Sequence, residues 1–303
     1  VQATGWFLET AWLIPALPAL SFFLILFFGK KMKYKGAEFG ITAIALSLIL
    51  AICCAGQWIN QVDNASENYS KAQYETEEKY DDAKNLDSEA TATTEIVEVA
   101  SSEDISLYAA GENDEGYEAV AVDAVIERFT WWESGGKKFQ VGIMVDGLTV
   151  MMLFVVTVIS LLVHIYSTDY VSGDRRYTHY FAFLSLFSAS MLFFVLSENI
   201  LQTIVGWELV GVCSFALIGH WWEEKPNSDA ALKAFLTNRV GDMGLLVGMI
   251  ILFWSAGSWS IVDINVAALN NEIGQSTLLI ASLCLTAAVM SKSGQFILHT
   301  WLP

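Results

Sequence analysis

Glu208 and Lys292 are ionisable residues set inside apolar runs, ILQTIVGWELVGVCSFALIG and LLIASLCLTAAVMSKSGQFIL. A charge near the centre of a bilayer costs about 2.5–3.5 kcal/mol on insertion scales, so such residues face protein or water and take a partner. An acid and a base on separate membrane helices suggest a route for charge. Burial disfavours a charged lysine and a nearby carboxylate favours it. A lysine held between these pressures gains and loses a proton as its acidic neighbour shifts. Glu208 is therefore expected to set the proton affinity of Lys292, and Lys292 to take up and release the transported proton. The alternative is a static ion pair between helices.

Arg239 and Asp242 also fall inside an apolar run. Three residues apart on a helix, they share a face and can pair locally, which leaves Arg239 open to a structural role or to a place in the conduction path. Ser291, Ser293 and Gly294 surround Lys292 with small polar groups that permit a local break in the helix ladder. His299, further along, extends a polar path. By the rise of about 1.5 Å per residue, Glu208 lies about 12 Å below the outer end of its span. Asp242 and Lys292 lie about 10 and about 9 Å from the inner ends of theirs.

These residues need membrane helices to position them. Of 303 residues, 54% are hydrophobic and only 16% charged, against about 25% charged in ordinary soluble domains. Seven runs reach the length a crossing requires: 11–28, 39–59, 143–163, 181–196, 200–219, 235–254 and 278–298. The predicted fold is an all-α polytopic membrane protein with an acidic outer insertion and a small β-hairpin. Lys30, Lys31, Lys33, Lys35, Arg175, Arg176, Lys225 and Lys233 fall at alternate ends of the runs, whereas 197–199 and 255–277 contain no Lys or Arg. Positive-inside logic puts the first loop in the cytoplasm and the N-terminus outside.

Residues 1–59 hold the first two helices, 60–142 the extramembrane insertion and hairpin, and 143–303 the remaining helices as a proton-translocating module. Between 60 and 140 there are 20 Asp or Glu against 6 Lys or Arg, most of the chain's net charge of −17. Its first part buries too little apolar surface to offset ordering entropy, which predicts a mobile insertion with a short helix at 71–86. VIERFTWWESGGKKFQVGIMVDGL then alternates around Gly135 and Gly136 as a hairpin does. The negative charge disfavours nucleic acid.

The four cysteines (Cys53, Cys54, Cys213, Cys284) lie in apolar runs without ligand spacing and read as small core residues. With no iron–sulfur cluster motif and no Gly-rich nucleotide fingerprint, the chain is expected to carry no redox centre. His164, His179 and His220 read as interfacial residues. Gly244 and Gly248 read as a helix-packing pair, and Trp131, Trp132, Trp221, Trp222 and Trp259 as interfacial anchors.

VGWELVGVCSFALIGHWWE, KAFLTNRVGDMG and SKSGQFILHTWLP follow one another as in the antiporter-like subunit L of NADH–quinone oxidoreductase (respiratory complex I). MVDGLTVMM and YFAFLSLFSASMLFFVLSEN agree with it too. The chain resembles the N-terminal half of that subunit over most of its length outside 60–125. The resemblance implies that Glu208 matches the family's membrane glutamate, that Lys292 matches its broken-helix lysine, and that Arg239 and Asp242 belong to its Asn-Arg-Val-Gly-Asp element. It further implies proton translocation along a hydrophilic axis in the inner (plasma) membrane, beside other membrane-arm subunits. NADH, FMN, iron–sulfur clusters and quinone would be bound by those partner subunits and none by this chain. Family members continue into further helices after a sequence like HTWLP, so a fragment or a divided gene is expected, and the acidic insertion is longer than the family's usual outer loop. The large subunit of a multisubunit sodium/proton antiporter shares the glutamate and lysine, although the Asn-Arg-Val-Gly-Asp string favours the respiratory subunit. A purely structural membrane subunit is the other alternative.

Overall fold

A computed structural model of the chain describes residues 5–86, 122–134 and 137–302. It forms two compact units, one of residues 1–55 and 125–303 and the other of 56–124. The described helices are α1 (Trp6–Glu9), α2 (Leu13–Phe28), α3 (Ala37–Leu86), α4 (Gly147–Tyr170), α5 (Tyr177–Val195), α6 (Ile200–Ile218), α7 (Lys225–Ala256), α8 (Ile261–Leu269) and α9 (Gln275–Lys292). Strands β1 (Val125–Ser134) and β2 (Lys137–Val145) form an antiparallel pair between α3 and α4. Seven of the helices are long and apolar enough to cross a bilayer. The helix anticipated at 71–86 is the C-terminal part of α3, which runs through 50 residues. The rest of the expected mobile insertion, 87–121, and the hairpin turn at Gly135 and Gly136 lie outside the described residues.

In the larger unit the helices are built inside out, as a membrane demands. Along α4, Leu148, Met151, Ile159, Leu162 and Tyr166 are exposed, while Thr157, His164 and Ser167 are buried. These positions fall on opposite faces of one helix, so the apolar face turns outward to lipid and the polar face inward. The chain is a multi-pass membrane protein. α5 packs against α2, α4 and α6, and α7 packs against α6 and α9.

Two polar details show how backbone groups are satisfied. Pro18 inside α2 has no N–H to give to the carbonyl four residues back, which belongs to Ile14. The Ser47 hydroxyl of α3 donates to that carbonyl instead, at 2.8 Å. The α5–α6 turn is joined to the hairpin: Leu196 accepts from the Met144 N–H at 3.1 Å, and Gln202 Oε1 from the Gly142 N–H at 3.0 Å. Beside them the buried Glu198 carboxylate pairs with Arg128 Nε at 2.7 Å, and Arg128 also donates to Ser260 at 3.0 Å.

Element ends differ from the sequence reading for local reasons. The third span starts at Gly147 because Asp146 caps it, accepting from the Thr149 N–H at 2.7 Å, and Ile143 is in β2. The last span stops at Lys292, and Gly294 beyond it takes a φ of 61°. The stretch 255–277, which joins two of the expected spans, contains α8.

Candidate functional site

Three helices bring the membrane charges together. α7 and α9 approach closely because α7 presents glycines: a Cβ on Gly241 would overlap Ser291, and one on Gly244 would come 2.5 Å from the Cys284 carbonyl oxygen. Ser291, one residue before Lys292, is fully buried in this contact. Lys292 is thereby set at the middle of α7, near Arg239 and Asp242, and α9 goes no further.

The break is satisfied locally. Trp301 Nε1–H donates to the Ser291 carbonyl at 2.8 Å, the Gln295 N–H to the Met290 carbonyl at 2.9 Å, and the Ser293 hydroxyl to the Val289 carbonyl at 2.6 Å. Carbonyls left by the end of a helix thus find partners without a continuing helix. The small polar residues around Lys292 do serve a break, and an indole completes it.

Arg239 lies between two carboxylates. Its Nη1 pairs with Glu208 Oε2 across the α6–α7 contact and stands 3.6 Å from Asp242 Oδ2 on its own helix. The local Arg239–Asp242 pair expected from spacing is present, and Glu208 is added to it. Asp242 is 4% exposed, while Glu208 and Arg239 keep about a third of their side-chain surface (31% and 34%). The guanidinium also lies 4.6 Å over the Phe235 ring. Arginine stays charged at any physiological pH, whereas lysine and carboxylates exchange protons when their surroundings change.

Lys292 completes the cluster from α9. Its Nζ lies 5.3 Å from the centroid of Trp207, within the range of a cation–π contact. It also lies 3.5 Å from where a Cβ on Gly211 would stand, with Arg239 Nη2 3.8 Å from the same point. Both cations therefore meet α6 one turn beyond Glu208. Asp242, Arg239 and the Cys213 thiol are the electrostatic neighbours of the ammonium. The direct partner of Glu208 is Arg239 and not Lys292.

Trp207 was not singled out in the sequence, although it adjoins Glu208. Its indole N–H donates to Asp242 Oδ1 at 2.6 Å. An indole N–H inside an apolar span needs an acceptor, and that requirement was the available signal. His299 stands apart: it is exposed and stacked parallel to Phe296 at 6.4 Å, while Trp301 reaches the break.

His164 is a correction. It does not lie at an interface but is fully buried, with Nδ1 2.8 Å from the Ser160 carbonyl and Nε2 3.5 Å from Ser185 Oγ. Ser160 and Ser188 continue the chain of hydroxyls at 2.5 Å. The polar face of α4 turns inward, and His164 goes with it. Among the described residues, no three His, Cys, Asp or Glu side chains are grouped so that they could hold a metal ion.

Two family models match the chain in order. Residues 131–181 match the N-terminus of chain 5 of NADH-ubiquinone oxidoreductase (complex I), and 197–303 match the transmembrane region of the NADH:quinone oxidoreductase/Mrp antiporter family. The chloroplastic NAD(P)H-quinone oxidoreductase subunit 5 of Physcomitrium patens is 42% identical over 187 residues, covering 60% of this chain and 26% of the relative. That of Adiantum capillus-veneris is 45% identical over 168 residues, covering 54% and 23%. The chain therefore spans about a quarter of the length of these relatives. Among solved structures, a chain of the archaeal membrane-bound sulfane sulfur reductase superposes with a TM-score of 0.64 at 15% identity, over 97% of this chain and 46% of that one. A chain of the Mrp complex from Dietzia sp. DQ12-45-1b gives 0.54 at 23% identity, over 60% and 20%. Matched in sequence order, the two models make the chain similar to complex I chain 5 over 131–181 and to the NADH:quinone oxidoreductase/Mrp antiporter family over 197–303.

Proposed function

We propose that the chain is a membrane-arm subunit of an NAD(P)H–quinone oxidoreductase and carries protons across the membrane. The observation that carries this reading is one guanidinium between two carboxylates with a lysine ammonium beside them, at the end of a broken helix. With every group ionised the cluster is neutral. Loss of a proton from Lys292 leaves it with one negative charge, which favours return of a proton. A shift of Arg239 from Glu208 toward Asp242 changes the field at Lys292 and so couples uptake to release. Moving one charge against 100 mV requires about 2.3 kcal/mol, so an outside source of energy is needed. Electron transfer from NAD(P)H to quinone in partner subunits supplies it, with FMN and iron–sulfur clusters held there.

The relatives that are 40–45% identical, all named NAD(P)H-quinone oxidoreductase subunit 5, support this assignment. The basic loops support an inner-membrane orientation with the N-terminus and acidic segment outside. Sodium/proton antiport is the second reading, supported by the Mrp members of the shared family. Sealed vesicles containing the whole complex separate the two. NAD(P)H oxidation should drive proton movement in sodium-free medium, and movement that required sodium would assign the chain to antiport.

A further inference from the structure

Away from the charge cluster, on the side of the bundle bearing the basic loops, Lys30, Arg175, Arg176 and His179 line a cavity of about 520 Å³ together with Trp222 and Glu223. The turn after α2 delivers Lys30 to the start of α5. It can do so because Gly29 has no side chain, and a Cβ there would come 2.7 Å from Thr178 Cγ2. At the start of α5 the Arg176 N–H goes to Asp174 Oδ1 at 2.6 Å and the Tyr177 N–H to the Asp174 carbonyl, and no side chain caps the turn beyond them.

Charge in the cavity is unbalanced. Arg176 is engaged by Glu223, by the His220 carbonyl and by the Trp222 ring at 4.9 Å. Lys30 and Arg175 have no ion-pair partner among the described residues, so two positive charges stay unopposed. Part of the wall is apolar, formed by Leu26 and Trp222, and Phe23 and Phe27 on the same helix as Leu26 are 53% and 69% exposed beyond the cavity. A phosphate alone would use the cations but leave this apolar surface without a partner. A phosphate carrying acyl chains uses both, and basic pockets on the positive-inside face meet the leaflet where anionic lipids concentrate.

We infer that this cavity is a headgroup site for an anionic phospholipid, with its phosphate on Lys30 and Arg175 at the start of α5 and its acyl chains along α2. The site is independent of proton transfer.

The test uses the intact complex in nanodiscs of equal phosphatidylglycerol and phosphatidylcholine, with a photoactivatable phosphatidylglycerol as probe. Labelling should map to peptides containing residues 23–27, and should fall about tenfold or more in the Lys30→Gln/Arg175→Gln variant. The charge-conserving Lys30→Arg/Arg175→Lys variant should restore it, which separates lost charge from misfolding. Equal labelling by photoactivatable phosphatidylcholine, or undiminished labelling in the charge-removed variant, would overturn the site. Excess inorganic phosphate should leave labelling in place, and displacement by phosphate would assign the cavity to a free anion.

Discussion

Trp207 holds Asp242 by its edge and Lys292 by its face: the indole N–H donates to Asp242 Oδ1 at 2.6 Å, and the ammonium lies 5.3 Å from the ring centroid. One rigid side chain on α6 thus touches the buried acid of α7 and the base of α9. A hydrogen bond to an ionised group contributes about 1.5–3 kcal/mol, and here it fixes which oxygen of Asp242 faces Arg239.

Trp207→Phe keeps a ring for Lys292 and removes the N–H. In the full-length subunit within its complex, proton movement per NAD(P)H oxidised should fall while the complex assembles. Trp207→Ala should be worse, because the ring face is lost too. Proton movement measured by a pH-sensitive dye in sealed vesicles checks both, and wild-type coupling in Trp207→Phe would show that the hydrogen bond to Asp242 is not used.

The Arg128–Glu198 pair makes an asymmetric prediction. Glu198 is 1% exposed and Arg128 31%. Removing the arginine strands a buried carboxylate and should cost about 3 kcal/mol. Glu198→Gln leaves an arginine that can turn to water and should cost about 1 kcal/mol. Thermal unfolding in detergent should rank Arg128→Ala well below Glu198→Gln, and equal losses would contradict the assigned burial.

The loop between α4 and α5 should loosen in acid. Burial holds the His220 imidazole below its ordinary 6.5, with Asp174 opposing, and the Arg176 N–H chiefly holds the Asp174 carboxyl below its ordinary 3.8. In each case the unfolded chain binds more protons than the folded one between the two values, so stability falls as pH falls. The first loss begins as pH drops through 6.5 and belongs to His220, and the second begins below 3.8 and belongs to Asp174. Trp221 donates to Asp174 Oδ2 at 2.7 Å, so its fluorescence should report both steps. His220→Gln should remove the upper step alone, and a profile unchanged by that variant would contradict the assignment.

Much of this arrangement is legible in the sequence because it depends on relations within one element. The seven apolar runs announce spans, alternation announces the hairpin, and a spacing of three puts Arg239 beside Asp242. Relations between elements are not encoded in spacing. The rotational phase of α6 against α7 turns Glu208 to Arg239 rather than Lys292, and only the packed helices show it. His164 departs from its reading for a related reason. Polar residues near span ends read as interfacial, but His164 follows the inward polar face of α4 and is fully buried. The end of α9 was half legible: Ser291, Ser293 and Gly294 marked a break, but the indole that closes it comes from Trp301, ten residues beyond Ser291.

Lys292→Ala and Lys292→Arg, compared in the assembled complex, decide whether the lysine itself carries protons. Arginine keeps the positive charge but does not give up its proton, so a lysine that carries protons fails in both variants, and a lysine that only pairs helices is replaced by arginine. The measurement is protons moved per NAD(P)H oxidised in sealed vesicles. A lowered ratio is expected in both variants with the complex intact. A wild-type ratio in Lys292→Arg would contradict it.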